Sequence, residues 1–115
     1  MADPQPIDTV QLDDVKAAAS IIGGKWKTAI LYCLSKQPLR FAALRRAVGT
    51  VSEKVLAQHL RELEAEGLVH REVRHTVPPQ VEYSMTAHGK SLCGVIEAIS
   101  SWGRKHRLKA ARTRG

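Results

Sequence analysis

The sequence predicts a mainly α-helical domain carrying one small β-hairpin, and three observations predict it. Apolar residues recur at helical spacing in four segments before Gly67 and again after Thr86. Between those points the period changes from 3.6 to 2, on both sides of Pro78-Pro79. Hydrophobic residues make up 43% of the 115 residues, which suits one folded core rather than a disordered chain.

Residues 1–12 are expected to be a flexible leader, with two prolines and no sustained periodicity. A first helix is expected from Asp13, where "DDVKAAASII" opens on carboxylates that suit a helix N-terminus. Gly23-Gly24 interrupts it. "KWKTAILYCLSKQ" follows as a second helix, with Trp26, Ile30, Leu31 and Leu34 clustered, and Pro38 ends it. "RFAALRRAVG" is a short third helix with Phe41, Leu44 and Val48 on one side, Arg45 and Arg46 on the other, and Gly49 as C-cap. Ser52 is an N-cap for "SEKVLAQHLRELEAEG", which Gly67 closes. "LVHREVRH" and "QVEYSMT" alternate as two strands, the second with Val81, Tyr83 and Met85 on one face. Thr86 then caps a final helix, "AHGKSLCGVIEAISSWGRKHRLK". The folded domain spans 13–106, and 107–115 form a basic tail.

Two short helices around a tight turn, followed directly by a hairpin, make a winged helix-turn-helix with extra N- and C-terminal helices for dimerisation. In that arrangement the second helix of the pair enters the major groove. On its wheel Leu56, Leu60 and Leu63 lie within roughly 60° and form the buried face. Opposite lie Lys54, Gln58 and Arg61, with Ala57 beside them and Glu62 and Glu64 to the side. Lys and Arg suit guanine or phosphate, Gln suits adenine, and an Ala methyl suits thymine. Ser52 at the helix start suits a phosphate. Arg40, Arg45 and Arg46 are read as backbone clamps, and Arg74 and His75 as wing contacts. A polar surface helix and a charge-protected hairpin are the ordinary alternatives. The order of the elements favours a DNA reader.

The last helix is long and apolar for so short a chain. Leu92, Val95, Ile96, Ile99 and Trp102 follow helical spacing, and with Val15 and Trp26 they are the expected dimer interface. A dimer would offer two recognition helices to a palindromic operator with half-sites about 34–36 Å apart. A small-molecule effector is compatible with such a dimer, although no residue demands one.

The formal net charge of +7 agrees with a polyanionic partner. Asp3, Asp8, Asp13 and Asp14 make the N-terminal end acidic, whereas after Glu97 only basic charges follow. A winged helix can also serve as a protein-docking module, but such a face would be expected to carry more apolar groups than Lys54, Gln58 and Arg61 supply. No apolar run approaches the roughly 20 residues of a membrane span, and the N-terminus lacks a secretory pattern, so a cytoplasmic protein is expected. Cys33 and Cys93 lie far apart inside apolar helical patterns and are expected to be buried free thiols. His59, His70, His75, His88 and His106 have no metal-ligand spacing, and no nucleophile elbow or phosphate-cradling loop is present. Neither a cofactor, a metal nor an enzymatic activity is expected.

"IIGGKWKTAIL", "RFAALRRAV", "SEKVLAQHLRELEAEGLVHREV", "VPPQVEYSMTAHGKSL" and "WGRKH" resemble the HxlR-type winged helix-turn-helix regulators of bacteria. The similarity runs from about Asp13 to His106. It implies a homodimeric transcription factor, joined through its first and last helices. It also implies DNA contact through Ser52, Lys54, Gln58 and Arg61, with the wing around Arg74 and His75. Many members carry a Cys-Pro pair near the start of the first helix, and in several that Cys senses oxidants or electrophiles. Asp13-Asp14 occupy the matching positions here, so the resemblance does not extend to sensing by that route.

Overall fold

The computed structural model describes residues 4–114. Its elements are α1 (Thr9–Ile22), α2 (Lys25–Lys36), β1 (Leu39–Arg40), α3 (Phe41–Val48), α4 (Glu53–Ala65), β2 (Val69–Arg74), β3 (Gln80–Met85), α5 (Ala87–Lys90) and α6 (Cys93–Arg114). Ile30, Leu31 and Leu34 of α2 pack with Leu44 of α3 and with Leu56, Leu60 and Leu63 of α4. Val51, Leu68, Val69, Tyr83, Met85 and Ile96 complete this core. Each side chain of that size contributes about 1.5–3 kcal/mol when fully buried. The α4 leucines therefore settle which way the helix faces, and leave Lys54, Gln58 and Arg61 outward.

The sheet is antiparallel, in the order β1-β3-β2. Val69, Arg71 and Val73 stand opposite Met85, Tyr83 and Val81, and Tyr83 and Met85 of this face are buried. The hairpin expected from the sequence is thus joined by a third strand. A two-residue strand is too short for its period to be read, and β1 exists because Leu39 pairs with Tyr83 and Arg40 with Glu82. Arg40 consequently lies in β1 and at the N-cap of α3, not within the helix.

Three further boundaries differ from expectation. α1 begins at Thr9, inside the expected leader, because the Asp8 carboxylate accepts from the backbone N–H groups of Val10 and Gln11, both at 3.0 Å. None of the residues of α1 is buried in the domain. The expected tail is also helical to Arg114: "KHRLKAARTR" contains good helix formers and no breaker. Finally, Thr86 caps only the four-residue α5, and α6 starts afresh at Cys93. Between them Ser91 N–H donates to His88 C=O (3.1 Å) and Leu92 N–H to Gly89 C=O (3.0 Å), the tightened i→i−3 pattern that changes a helix's direction. Gly89 allows the junction to sit close to the sheet. A Cβ there would stand 2.1 Å from the Leu68 carbonyl oxygen.

Candidate nucleic-acid interface

The turn between α3 and α4 is built by its own side chains. Ser52 Oγ accepts from Val55 N–H at 3.1 Å, which caps α4 and leaves the hydroxyl proton free to donate elsewhere. Arg45 Nε donates to the Val51 carbonyl at 2.9 Å, and its Nη1 reaches Glu53 Oε1 at 3.2 Å. Val51 itself is buried, so this bond satisfies a carbonyl that water would reach poorly. Arg45 is therefore a brace across the turn, with its Nε and one Nη1 donor engaged by the protein. Arg40, at the N-cap of α3, and Arg46, in its last turn, are both exposed.

Lys54, Gln58 and Arg61 are exposed on α4, away from Leu56, Leu60 and Leu63. Ala57 is half-buried, and Val55 is instead the exposed apolar group. A shallow groove is lined by Lys54, Val55, Gln58, His59 and Arg61. The sequence places Glu62 at the side of the helix, but the structure turns its carboxylate onto this face. Glu62 Oε1 accepts from Gln58 Nε2 at 3.0 Å, and Gln58 Oε1 accepts from Arg61 Nη2 at 2.8 Å. Lys27 Nζ, from α2, sits 2.8 Å from Glu62 Oε2. These donors, Lys27 first and Gln58 next, hold the Glu62 carboxyl down at about 2. His59 is half-buried, with Nδ1 enclosed and 3.5 Å from Glu62 Oε2, too far for a hydrogen bond.

The wing is less basic than its loop suggests. Glu72 and Glu82 face each other across β2 and β3, and Arg40 is paired with Glu82 from the other side. Arg74 Nη2 lies 3.4 Å from Glu82 Oε1. His75 is exposed where β2 runs into the loop. Lys27, Val55, His59 and Glu62 are the residues of this region that sequence reasoning passed over. Val55 and Glu62 carried a signal, their wheel positions within roughly 60° of Gln58. Lys27 comes from another helix and could not be placed without the fold.

The expected dimer residues separate into three groups. Val15, Val95, Ile99 and Trp102 are exposed. Trp26 and Leu92 are half-buried against the core. Ile96 is only 2% exposed and belongs to the domain's own core, so it does not extend the exposed stripe. Ile7, Val10 and Leu12 add exposed apolar groups on and before α1. Cys33 and Cys93 are half-buried rather than buried, and burial raises the Cys33 thiol above its ordinary value. Among the described residues no group of three or more His, Cys, Asp or Glu side chains could hold a metal ion, and no helix is long and apolar enough to cross a membrane.

A family model described as HxlR-like helix-turn-helix matches residues 21–111. An HTH-type transcriptional regulator of Halalkalibacterium halodurans is 48% identical over 88 residues, covering 76% of this chain and 78% of that protein. The HTH-type transcriptional regulator YtcD of Bacillus subtilis is 42% identical over 92 residues, covering 80% and 73%. Among solved structures, the redox regulator HypR in its reduced form superposes with a TM-score of 0.79 at 40% identity, over 84% of this chain and 98% of that one.

Proposed function

The chain belongs to the HxlR-like helix-turn-helix family of transcriptional regulators, and from that premise we propose that it binds a palindromic operator as a homodimer, with α4 in the major groove. One observation carries the reading: α4 is clamped by three buried leucines so that Lys54, Gln58 and Arg61 point outward together. Lys54 and Arg61 meet guanine or phosphate, and Gln58 meets adenine. Val55, the exposed apolar group beside them, meets a thymine methyl. Ser52 donates its remaining hydroxyl proton to a phosphate at the helix N-terminus, where the helix dipole also favours an anion.

Arg40 at the start of α3 and Arg46 in its last turn attract the backbone, and His75 with the outer nitrogens of Arg74 does so from the wing. Val15, Val95, Ile99 and Trp102, with Val10, form the contact between copies. Such a regulator acts in the cytoplasm, where the operator is, and its work is binding rather than catalysis.

Selection of bound sites from random duplexes tests this directly. The expected result is an enriched inverted repeat with half-sites about one helical turn apart, bound with an affinity that falls steeply with salt. Arg61→Ala should cost about 1–3 kcal/mol on that site and far less on random duplex. No enrichment, or salt-independent affinity, would reject the reading in favour of a protein-docking module.

A further inference from the structure

The chain of contacts on α4 has a polarity. A glutamine amide can rotate by 180° about its last bond and exchange its donor for its acceptor, and on most surfaces the two settings are close in energy. Here the neighbours on the two sides are of opposite kinds. The Glu62 carboxylate can only accept, and the Arg61 guanidinium can only donate. With Gln58 Nε2 toward Glu62 at 3.0 Å and Oε1 toward Arg61 at 2.8 Å, both contacts are satisfied. In the rotated setting the amide oxygen would face the carboxylate and the amide nitrogen would face the guanidinium, so both contacts would be repulsive.

Glu62 is itself held from outside the helix. Its Oε2 is 2.8 Å from Lys27 Nζ, which leaves Oε1 for Gln58. The Lys27 stem is largely buried against the fold, so the anchor is fixed to α2 and not to a waving surface chain. Because Lys27 and Gln58 both favour the charged form, Glu62 remains an acceptor at every pH near neutrality.

We propose that Glu62, anchored by Lys27, is a positioning residue that locks the donor and acceptor of Gln58 in one order and thereby sets the base that Gln58 reads. The inference rests on α4 being the DNA-reading helix. After both contacts are made, Gln58 retains one Nε2 proton and one Oε1 lone pair. That pair matches adenine, whose N7 accepts and whose N6 donates. A base with the opposite order would require the rotated amide and the loss of both neighbours. Glu62 would then influence specificity without touching DNA, and its negative charge would tend to lower affinity for phosphate on every sequence.

The test uses the full-length protein and duplexes carrying each of the four bases at the position where Gln58→Ala abolishes discrimination. Glu62→Gln replaces an obligate acceptor by a group that either donates or accepts. Its preference for adenine at that position should fall about fivefold or more, while affinity for random duplex is unchanged or higher. Lys27→Met keeps the carboxylate but removes its anchor, and should lower the same preference. In the free protein, the Gln58 side-chain amide resonances should be shifted and slow to exchange, and should move to ordinary positions in Glu62→Gln. Thermal melting of both variants reports whether they are folded. Unchanged adenine preference in folded, DNA-binding variants overturns the proposal and leaves the DNA reading intact. Absence of any sequence preference in the wild-type protein would instead overturn the DNA reading, and this proposal with it.

Discussion

Val55 is the apolar side chain exposed beside the polar face of α4, and its proposed partner there is a thymine methyl. It sits between Lys54 and the buried Leu56, exposed by 39%, on a helix whose core positions are already filled by leucine. The part of Val55 that faces water adds no burial to this fold, but in a major groove it would displace water from a thymine methyl. Burying one methyl-sized group is worth about 0.8 kcal/mol, or about fourfold in affinity. Replacing thymine by uracil, one position at a time in the operator, should therefore cost the wild-type protein about fourfold at one position in each half-site. Val55→Ser, which loses the apolar contact, should be far less sensitive to that same replacement. A protein equally insensitive at every thymine would remove Val55 from the set of base-reading residues.

At the scale of elements, the two arginines of α3 have different work although they are adjacent. Arg45 spans the turn to α4 through the Val51 carbonyl and Glu53, whereas Arg46 is exposed, with no hydrogen bond or ion pair to it among the described residues. Arg45→Met leaves a poorly hydrated carbonyl without its donor and should lower unfolding stability by about 1–2 kcal/mol. Arg46→Met should change stability by less than about 0.5 kcal/mol, but weaken binding to specific and random duplexes alike. Denaturant titration beside a salt-controlled binding assay separates the two; equal stability losses would refute the division. Both residues are read from the sequence as lying opposite Phe41 and Leu44, but at helical spacing Arg45 falls roughly 40° from Phe41 and only Arg46 turns away; what the sequence does not show is where the turn carries the Val51 carbonyl. The leucine stripe of α4 was legible because its period and its burial coincide. Strand β1 was not, since its two residues owe their extended pairing to Tyr83 and Glu82, more than forty positions away. The same holds for Glu62, whose carboxylate beside Gln58 is met by Lys27 reaching over from α2.

The whole molecule is elongated, with extents of 71 × 42 × 24 Å, because α1 and α6 extend beyond the core. α1 buries none of its residues, yet Val10 and Val15 are exposed by 71% and 60%. On α6, Ile96 turns into the core while Val95, Ile99, Trp102 and Leu108 remain outside. A helix with no buried stripe draws little support from tertiary packing, and helices of this length are marginal alone. In the proposed homodimer a second copy would supply the missing surface, and two-fold symmetry would place two α4 helices on one side of the assembly. Trp102 is the natural probe. It is exposed by 67% and stacks only on His106 of its own helix, with ring centroids 5.0 Å apart, so its removal should cost the monomer little. Trp102→Ala, combined with Val10→Glu, should shift sedimentation toward the monomer at micromolar concentration while the far-ultraviolet spectrum keeps its helical form. Binding to a duplex with a single half-site should be nearly unchanged, and binding to the full inverted repeat should fall to that same level, because the gain from joining two sites depends on the link between copies. An unaltered sedimentation profile, or a full-site affinity that survives in a monomer, would place the contact elsewhere.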